Sequence, residues 1–360
     1  MINEVALAKV NRDFSIWSSF LKNFHSNDIC QRKVVQHLAE VTFRDSYTIS
    51  MPTFLTPGRH GYSVRFSRTR PDTLAVATSQ YYGLAGGGTL FFLELAPDGS
   101  TIIEVQKLEW SDGLFDVTWS GTTESAAACG AGDGAVIVWR VGCAAPLRVL
   151  RAHTSEVCSV DWPRTHLLSA SWDTTVKLWD PESEACLSTF VGHSQLVYTA
   201  AFSPHSPATF ASVSGDGHLK LWTCTEPSRP AAVVKAHDAE VLSCDWSRTE
   251  THALATAGSD GLVRGWDLRR LTSPMFTLKG CECAVRRVQF SPHAPSIIAA
   301  ASYDFTTRIW DLKRGCEPLE TIRHHSEFTY GLDWSALRPQ LLADCGWDSL
   351  VHVFTPRSLA

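Results

Sequence analysis

The sequence predicts an all-β fold assembled from repeats, on three observations. Short runs alternate with period two, as half-buried strands do. Between Val157 and Asp180, Cys158, Val160 and Trp162 alternate with polar residues, Leu167 to Ser171 follows a polar break, and Val176 to Trp179 stops at Asp180-Pro181. Three strands and two tight turns make a β-meander, which cannot bury its apolar face alone. That unit also recurs. An Asp beginning a turn stands at 133, 173, 216, 260, 304 and 348, and six residues after each comes Trp139, Trp179, Trp222, Trp266, Trp310 or Phe354, in steps of 40, 43, 44, 44 and 44 residues. Finally, His153, His193, His237 and His325 keep the same rhythm, with Cys281 where a fifth His would fall.

Each repeat justifies its own elements. Six clear units end at the aromatics above, and Gly61 to Leu95 is a degenerate unit before them. Its strands are Val64-Arg65-Phe66, Leu74 to Ser79 and Thr89 to Leu93, with Gly87 where the turn Asp should be and Leu93 where the Trp should be. Gly86-Gly87-Gly88 lacks the lysine and following helix of a phosphate loop, and is expected to be a tight turn. Because the last repeat ends at Phe354 on an inner strand, its outer strand must come from elsewhere, and Ser50 to Thr56 is the expected donor. Such closure removes an open sheet edge. Residues 1–48 carry no repeat and are expected to form an extension, partly helical or disordered, because Phe14, Trp17, Leu21 and Phe24 fall at helical spacing. Residues 49–360 form the repeat domain.

Composition excludes several function classes. Hydrophobic content of 44% supplies a core, and a net charge of −5 argues against nucleic acid, whose partners carry a basic stripe. Eleven Cys, including Cys129, Cys158, Cys244 and Cys345, show neither paired zinc spacing nor a disulfide framework, so the chain reads as reduced and intracellular. No apolar run approaches the roughly 18 residues of a membrane span, and the N-terminus lacks the apolar core of a secretory signal.

The period near 44 with terminal Trp-Asp pairs (Trp179-Asp180, Trp266-Asp267, Trp310-Asp311) resembles the WD40 family. The resemblance implies a seven-bladed β-propeller closed by the N-terminal strand. Sets that imitate a catalytic triad then acquire another meaning. His153, Ser169 and Asp173, His193, Ser212 and Asp216, and His237, Thr256 and Asp260 recur with Trp179, Trp222 and Trp266 as fourth members. A nucleophilic triad is needed once, beside an oxyanion hole, so a repeated set is expected to be buried hydrogen bonding, and in the WD40 family the matching positions form a structural tetrad. No catalytic residue and no cofactor are expected. His324-His325 with Glu327 invites a metal reading, but neighbours on a strand point to opposite faces, so diverging imidazoles and no metal are expected.

What remains is surface. In propellers of this kind partners bind one ring edge, read from positions flanking the first apolar residue of each first strand or preceding the turn Asp. Those positions are His60, Tyr62, Phe115, Glu156, Trp172, Leu196, Tyr198, Glu240, Leu242, Arg286, Tyr303, Phe328, Tyr330 and Trp347, with Asp112 and Asp116 at the second repeat's entry. Exposed aromatics beside carboxylates are what binding hot spots use. The complementary ligand is a cationic amphipathic helix.

Departures from the repeat pattern are more specific. Thr56 to Tyr62, Ala77 to Gly83, Trp110 to Trp119, Leu262 to Arg269, Ser302 to Thr306, His324 to Tyr330 and Ala343 to Asp348 together resemble the peroxin-7 family, receptors for the type 2 peroxisomal targeting signal. The resemblance runs from about Pro52 to Pro356 and leaves residues 1–48 outside. It implies a cytosolic receptor that binds matrix enzymes by an N-terminal Arg/Lys-Leu-x5-His/Gln-Leu helix. It also implies a co-receptor (in animals the long form of peroxin-5), a peroxisomal docking complex, and cycling between cytosol and peroxisome. The rival is a substrate receptor of a cullin-type ubiquitin ligase, on the WDxR stretch Trp266 to Arg269.

Overall fold

A computed structural model describes residues 51–360; the expected extension, with its helical spacing, lies outside them. Seven four-stranded antiparallel sheets form a β-propeller, six of them running in chain order from the innermost strand outward. The first blade spans residues 60–110, the second 114–151, the third 157–191, the fourth 197–235, the fifth 241–278 and the sixth 285–322. The seventh takes three strands from 329–354, and its outermost is Thr53–Leu55, which we call β1.

β1 pairs antiparallel with Leu350–Phe354, placing Thr53 opposite His352 and Leu55 opposite Leu350. Bonds from Thr56 N to Ser349 O (2.8 Å) and from Val353 N to Pro52 O (3.1 Å) continue the seam. The last inner strand, Thr329–Trp334, lies against the first, His60–Phe66, so the ring closes. Gly86 and Gly87 end the loop between Thr73–Ser79 and Gly88–Leu95, with Gly87 N donating to Gln80 Oε1 at 3.0 Å, and Gly88 opens the strand.

The core lies between blades. Val157, Val160 and Trp162 of the third blade pack with Ala126, Ala128, Val136 and Val138 of the second, and equivalent clusters repeat around the ring. Each blade alone would expose that face, so burial couples every sheet to its neighbour. Polar links reinforce it: Phe202 N, Phe290 N and Phe66 N each donate at 2.8 Å to the carboxylates of Asp161, Asp245 and Asp333 in an adjacent blade.

One irregularity recurs in all seven blades. The pairing of the two innermost strands slips by a residue at Tyr62, Phe115, Cys158, Tyr198, Leu242, Arg286 and Tyr330. A β-bulge leaves one residue unpaired and re-aims its side chain. It also corrects the alternation read in the third repeat: Val157, rather than Cys158, shares the core face with Val160 and Trp162.

Candidate functional site

Because each bulge falls at the start of an innermost strand, the seven bulged side chains stand at one mouth of the central channel. Aromatic residues dominate one side. Tyr62, Phe115 and Trp347 form a buried cluster against Phe328 and Tyr330. Tyr62 lies 5.0 Å from Phe115 and 4.6 Å from Tyr330, centroid to centroid. Tyr303 is 4.7 Å from Phe328 and 5.9 Å from Tyr330, and Trp172 stacks parallel to Phe115 at 6.5 Å. Such contacts add to area burial and order the rings.

Arg286 does not extend to solvent. Its guanidinium lies over the Tyr330 ring at 4.5 Å and donates to Leu242 O at 3.3 Å, and the side chain is buried. Burial opposes its charge, but Tyr330 and Tyr303 beside it hold its pKa above the ordinary value. Burial likewise pushes the Tyr62, Tyr198 and Tyr303 hydroxyls well up, so all three stay neutral.

Carboxylates flank the aromatics. Glu240 is half-buried and accepts from Tyr198 Oη at 3.3 Å; burial raises its pKa while that bond opposes the rise. Glu156 is buried and accepts from Ser155 Oγ. Asp112 is half-buried, its Oδ1 accepting from Gly113 N at 2.8 Å. Leu196 is half-buried and Leu242 is buried beneath this rim.

Asp116 departs from the ring-edge expectation. It is fully buried, and its carboxylate accepts from Ser63 Oγ at 2.6 Å, Arg287 Nη2 at 2.9 Å and Val160 N at 3.0 Å. It ties four blades together under the rim and has no face open to a ligand. Burial opposes its ionisation, but Arg287 and Arg65 keep the carboxyl below its usual range.

Sequence reasoning missed two rim residues. Tyr82 stacks on His60 at 3.9 Å and lies 5.3 Å from Trp347, and its carbonyl accepts from Tyr62 Oη at 2.6 Å. Tyr81 and Tyr82 hold left-handed φ values of 43° and 56°, a strained conformation for ring-bearing residues. The next residue must be Gly83, at φ 71°, because a Cβ there would sit 2.6 Å from Phe115. Glu327, half-buried, is raised in pKa by burial and then by Asp348, and its charge reaches Tyr82. The available signal was Tyr-Tyr-Gly breaking the repeat.

The three His–hydroxyl–Asp–Trp sets form closed circuits. His153 donates from Nδ1 to Asp173 at 2.7 Å; its Nε2 and Trp179 Nε1 both meet Ser169 Oγ at 2.7 Å. His193, Ser212, Asp216 and Trp222 repeat this at 2.8 Å throughout, and His237, Thr256, Asp260 and Trp266 at 2.9 Å. Burial keeps His153 and His193 neutral. Burial also opposes ionisation of Asp173 and Asp216, yet the bonds from their histidines hold both carboxyls well below the usual range. Each buried hydroxyl is fully engaged, so none is placed to attack a substrate.

His324 and His325 overturn the strand argument. They lie in the loop after Glu320–Ile322, and both imidazoles converge on Asp344. In the WDxR stretch, Arg269 folds back onto Asp267, with Nε and Nη2 at 2.9 and 2.7 Å from its two oxygens, which leaves that guanidinium engaged within its own turn.

Seven antiparallel four-stranded blades define a β-propeller, and the WD domain, G-beta repeat model matches residues 144–180, 184–223, 228–267 and 272–311, so WD repeats occupy that part of the ring. Within that class the chain is similar to the peroxisomal targeting signal 2 receptors. It is 48% identical to the human protein of that name over 162 residues, 44% of this chain and 50% of that one. It is 30% identical to the Saccharomyces cerevisiae receptor over 231 residues, 55% of this chain and 61% of that one. Peroxisome biogenesis protein 7 of Arabidopsis thaliana matches at 40% over 135 residues, 36% of this chain and 42% of that one. The chain thus spans about half the length of the curated relatives it matches. Among the described residues no helix is long and apolar enough to cross a membrane.

Proposed function

We propose that this chain is a non-catalytic receptor for the type 2 peroxisomal targeting signal, binding it at the bulged mouth of the propeller. The observation that carries the reading is the aromatic cluster of Tyr62, Phe115, Phe328, Tyr330 and Trp347 with Glu156 and Glu240 on the same rim. The names of the similar proteins support it. A cationic amphipathic helix suits this rim. Asp112, Glu156 and Glu240 receive its basic end, and Tyr198, Leu242, Tyr303, Phe328 and Trp347 receive its leucines. A co-receptor closing over the bound helix, passage to a docking complex and cycling between cytosol and peroxisome belong to the same reading, as does the absence of a cofactor.

Fluorescence anisotropy of a labelled type 2 signal peptide tests it, with and without the co-receptor segment. A peptide lacking the leading Arg and the paired Leu is the control. Selective binding that tightens with the co-receptor is expected, weakening as salt rises. Glu240→Ala or Glu156→Ala should cost about 1–3 kcal/mol of affinity. Equal binding of both peptides by folded receptor with co-receptor present would overturn the proposal.

A further inference from the structure

The seventh blade departs from the tetrad in a consistent direction. In the third, fourth and fifth blades a hydroxyl faces a basic residue across the two middle strands: Ser169 with Lys177, Ser212 with Lys220, and Thr256 with Arg264. At the same register the seventh blade places Asp344 opposite His352. Phe354 replaces the tetrad Trp, so no indole N–H is available there to satisfy the oxygen. Both polar replacements exchange hydrogen-bonding groups for metal-ligating ones, and two further imidazoles come from His324 and His325.

We propose that His324, His325, His352 and Asp344 form a binding site for one divalent cation of the zinc type. One ring nitrogen of each of the three histidines lies within 4.8 Å of the others. Asp344 oxygens lie 2.8 Å from His324 Nε2 and 3.1 Å from His325 Nε2. Tetrahedral zinc, with bonds of about 2.0–2.1 Å, needs ligand atoms about 3.3 Å apart, so closing the set takes small side-chain rotations. Three imidazoles and one carboxylate are borderline ligands suited to zinc rather than to calcium or magnesium.

The surroundings match what metal-bound histidines use. Such histidines are oriented by a partner on the other ring nitrogen. His325 Nδ1 is 3.0 Å from Asp348, and His352 Nδ1 is 2.9 Å from Thr53 Oγ1. That leaves Nε2 of each toward the cluster. His352 Nε2 is buried with no hydrogen-bond partner, a cost the fold carries without return unless something binds there. His324, half-buried at the rim of the cluster, provides the entry.

The site spans the ring closure. Thr53 is on β1, His352 on the strand that pairs with it, and Thr307 of the sixth blade donates to Asp344 Oδ2 at 2.7 Å. A bound cation therefore fastens the seam strand to the neighbouring blade.

The test is equilibrium dialysis of the chelator-stripped full chain against Zn2+, with metal analysis and thermal melting. One zinc per chain and a higher melting temperature with zinc are expected, since a ligand of the folded state stabilises by mass action. His352→Gln and His324→Gln should weaken zinc at least about tenfold and abolish the thermal shift, with circular dichroism confirming the fold. His218→Gln, a histidine outside the cluster, should leave both unchanged. If His352→Gln fails to fold, the wild-type stoichiometry and the His324→Gln variant decide. Less than one zinc per chain, or binding unchanged in the folded cluster variants, would overturn the proposal.

Discussion

Asp116 provides a sharp test of whether a carboxylate near the channel mouth serves the ligand or the fold. Its oxygens meet Ser63 at 2.6 Å, Arg287 at 2.9 Å and Val160 N at 3.0 Å, all without solvent. Asp116→Ala strands the Arg287 guanidinium, itself buried, without its counter-charge. Breaking a buried pair from one side costs about 3–5 kcal/mol, because an uncompensated charge remains. Asp116→Asn keeps the shape and part of the hydrogen bonding and should cost about 1.5–3 kcal/mol, the worth of a charged hydrogen bond. The folded-state pKa of Asp116 is depressed, so its contribution is fully present above the unfolded value and is lost as pH falls through the folded one. Urea unfolding followed by tryptophan fluorescence and circular dichroism, with both transitions coincident, measures each variant at pH 7. The Asp116–Arg287 double-mutant cycle should then show strong coupling. A stability loss below about 1 kcal/mol for Asp116→Ala, paired with weakened peptide binding, would refute the argument and return Asp116 to the ligand-facing set.

Two further predictions concern stability. Ser169→Ala leaves Trp179 Nε1 and His153 Nε2 unpaired in a buried site, and at about 1–3 kcal/mol for each such group the loss should be about 2–6 kcal/mol in urea; no measurable loss would mean that the circuit is not structural. Asp245, whose carboxyl burial pushes up to about 6, makes folding less favourable as pH rises from about 4 to 6, because ionisation is easier in the unfolded chain. Asp245→Asn keeps an acceptor for Phe290 N and should flatten that slope. The gain above pH 6 should be below about 2.7 kcal/mol, the value of two pKa units, since the half-buried side chain faces the channel. An unchanged slope in the pH dependence of the urea midpoint would refute the assignment.

The repeat was legible because the third, fourth and fifth blades repeat the same local chemistry and the others keep parts of it. A turn Asp, a Trp six residues on and an upstream His are fixed offsets within one meander, and hydrogen bonding places them at 2.7–2.9 Å in three successive blades. The seam strand was legible as well, since a last repeat ending on an inner strand needs a donor, and Thr53–Leu55 supplies it. The bulges were harder to see. A single extra residue shifts every later side chain to the other face, and the sequence Val157-Cys158-Ser159-Val160 fits two registers that only the pairing distinguishes.

The class of fold, the blade count and the circuits of the third, fourth and fifth blades were therefore legible in the sequence. Their partners are near in the chain and recur at fixed spacing. Tertiary structure alone decided which rim residues face outward and which are spent inside. Asp112 and Asp116 lie four residues apart at one strand entry, yet Asp116 meets Arg287, 171 positions away, at 2.9 Å. The convergence of His324, His325 and His352 on Asp344 was decided in the same way. The physical reason is ring closure: it brings strands from opposite ends of the chain into hydrogen-bonding distance, and no local period records which distant side chain will be waiting there.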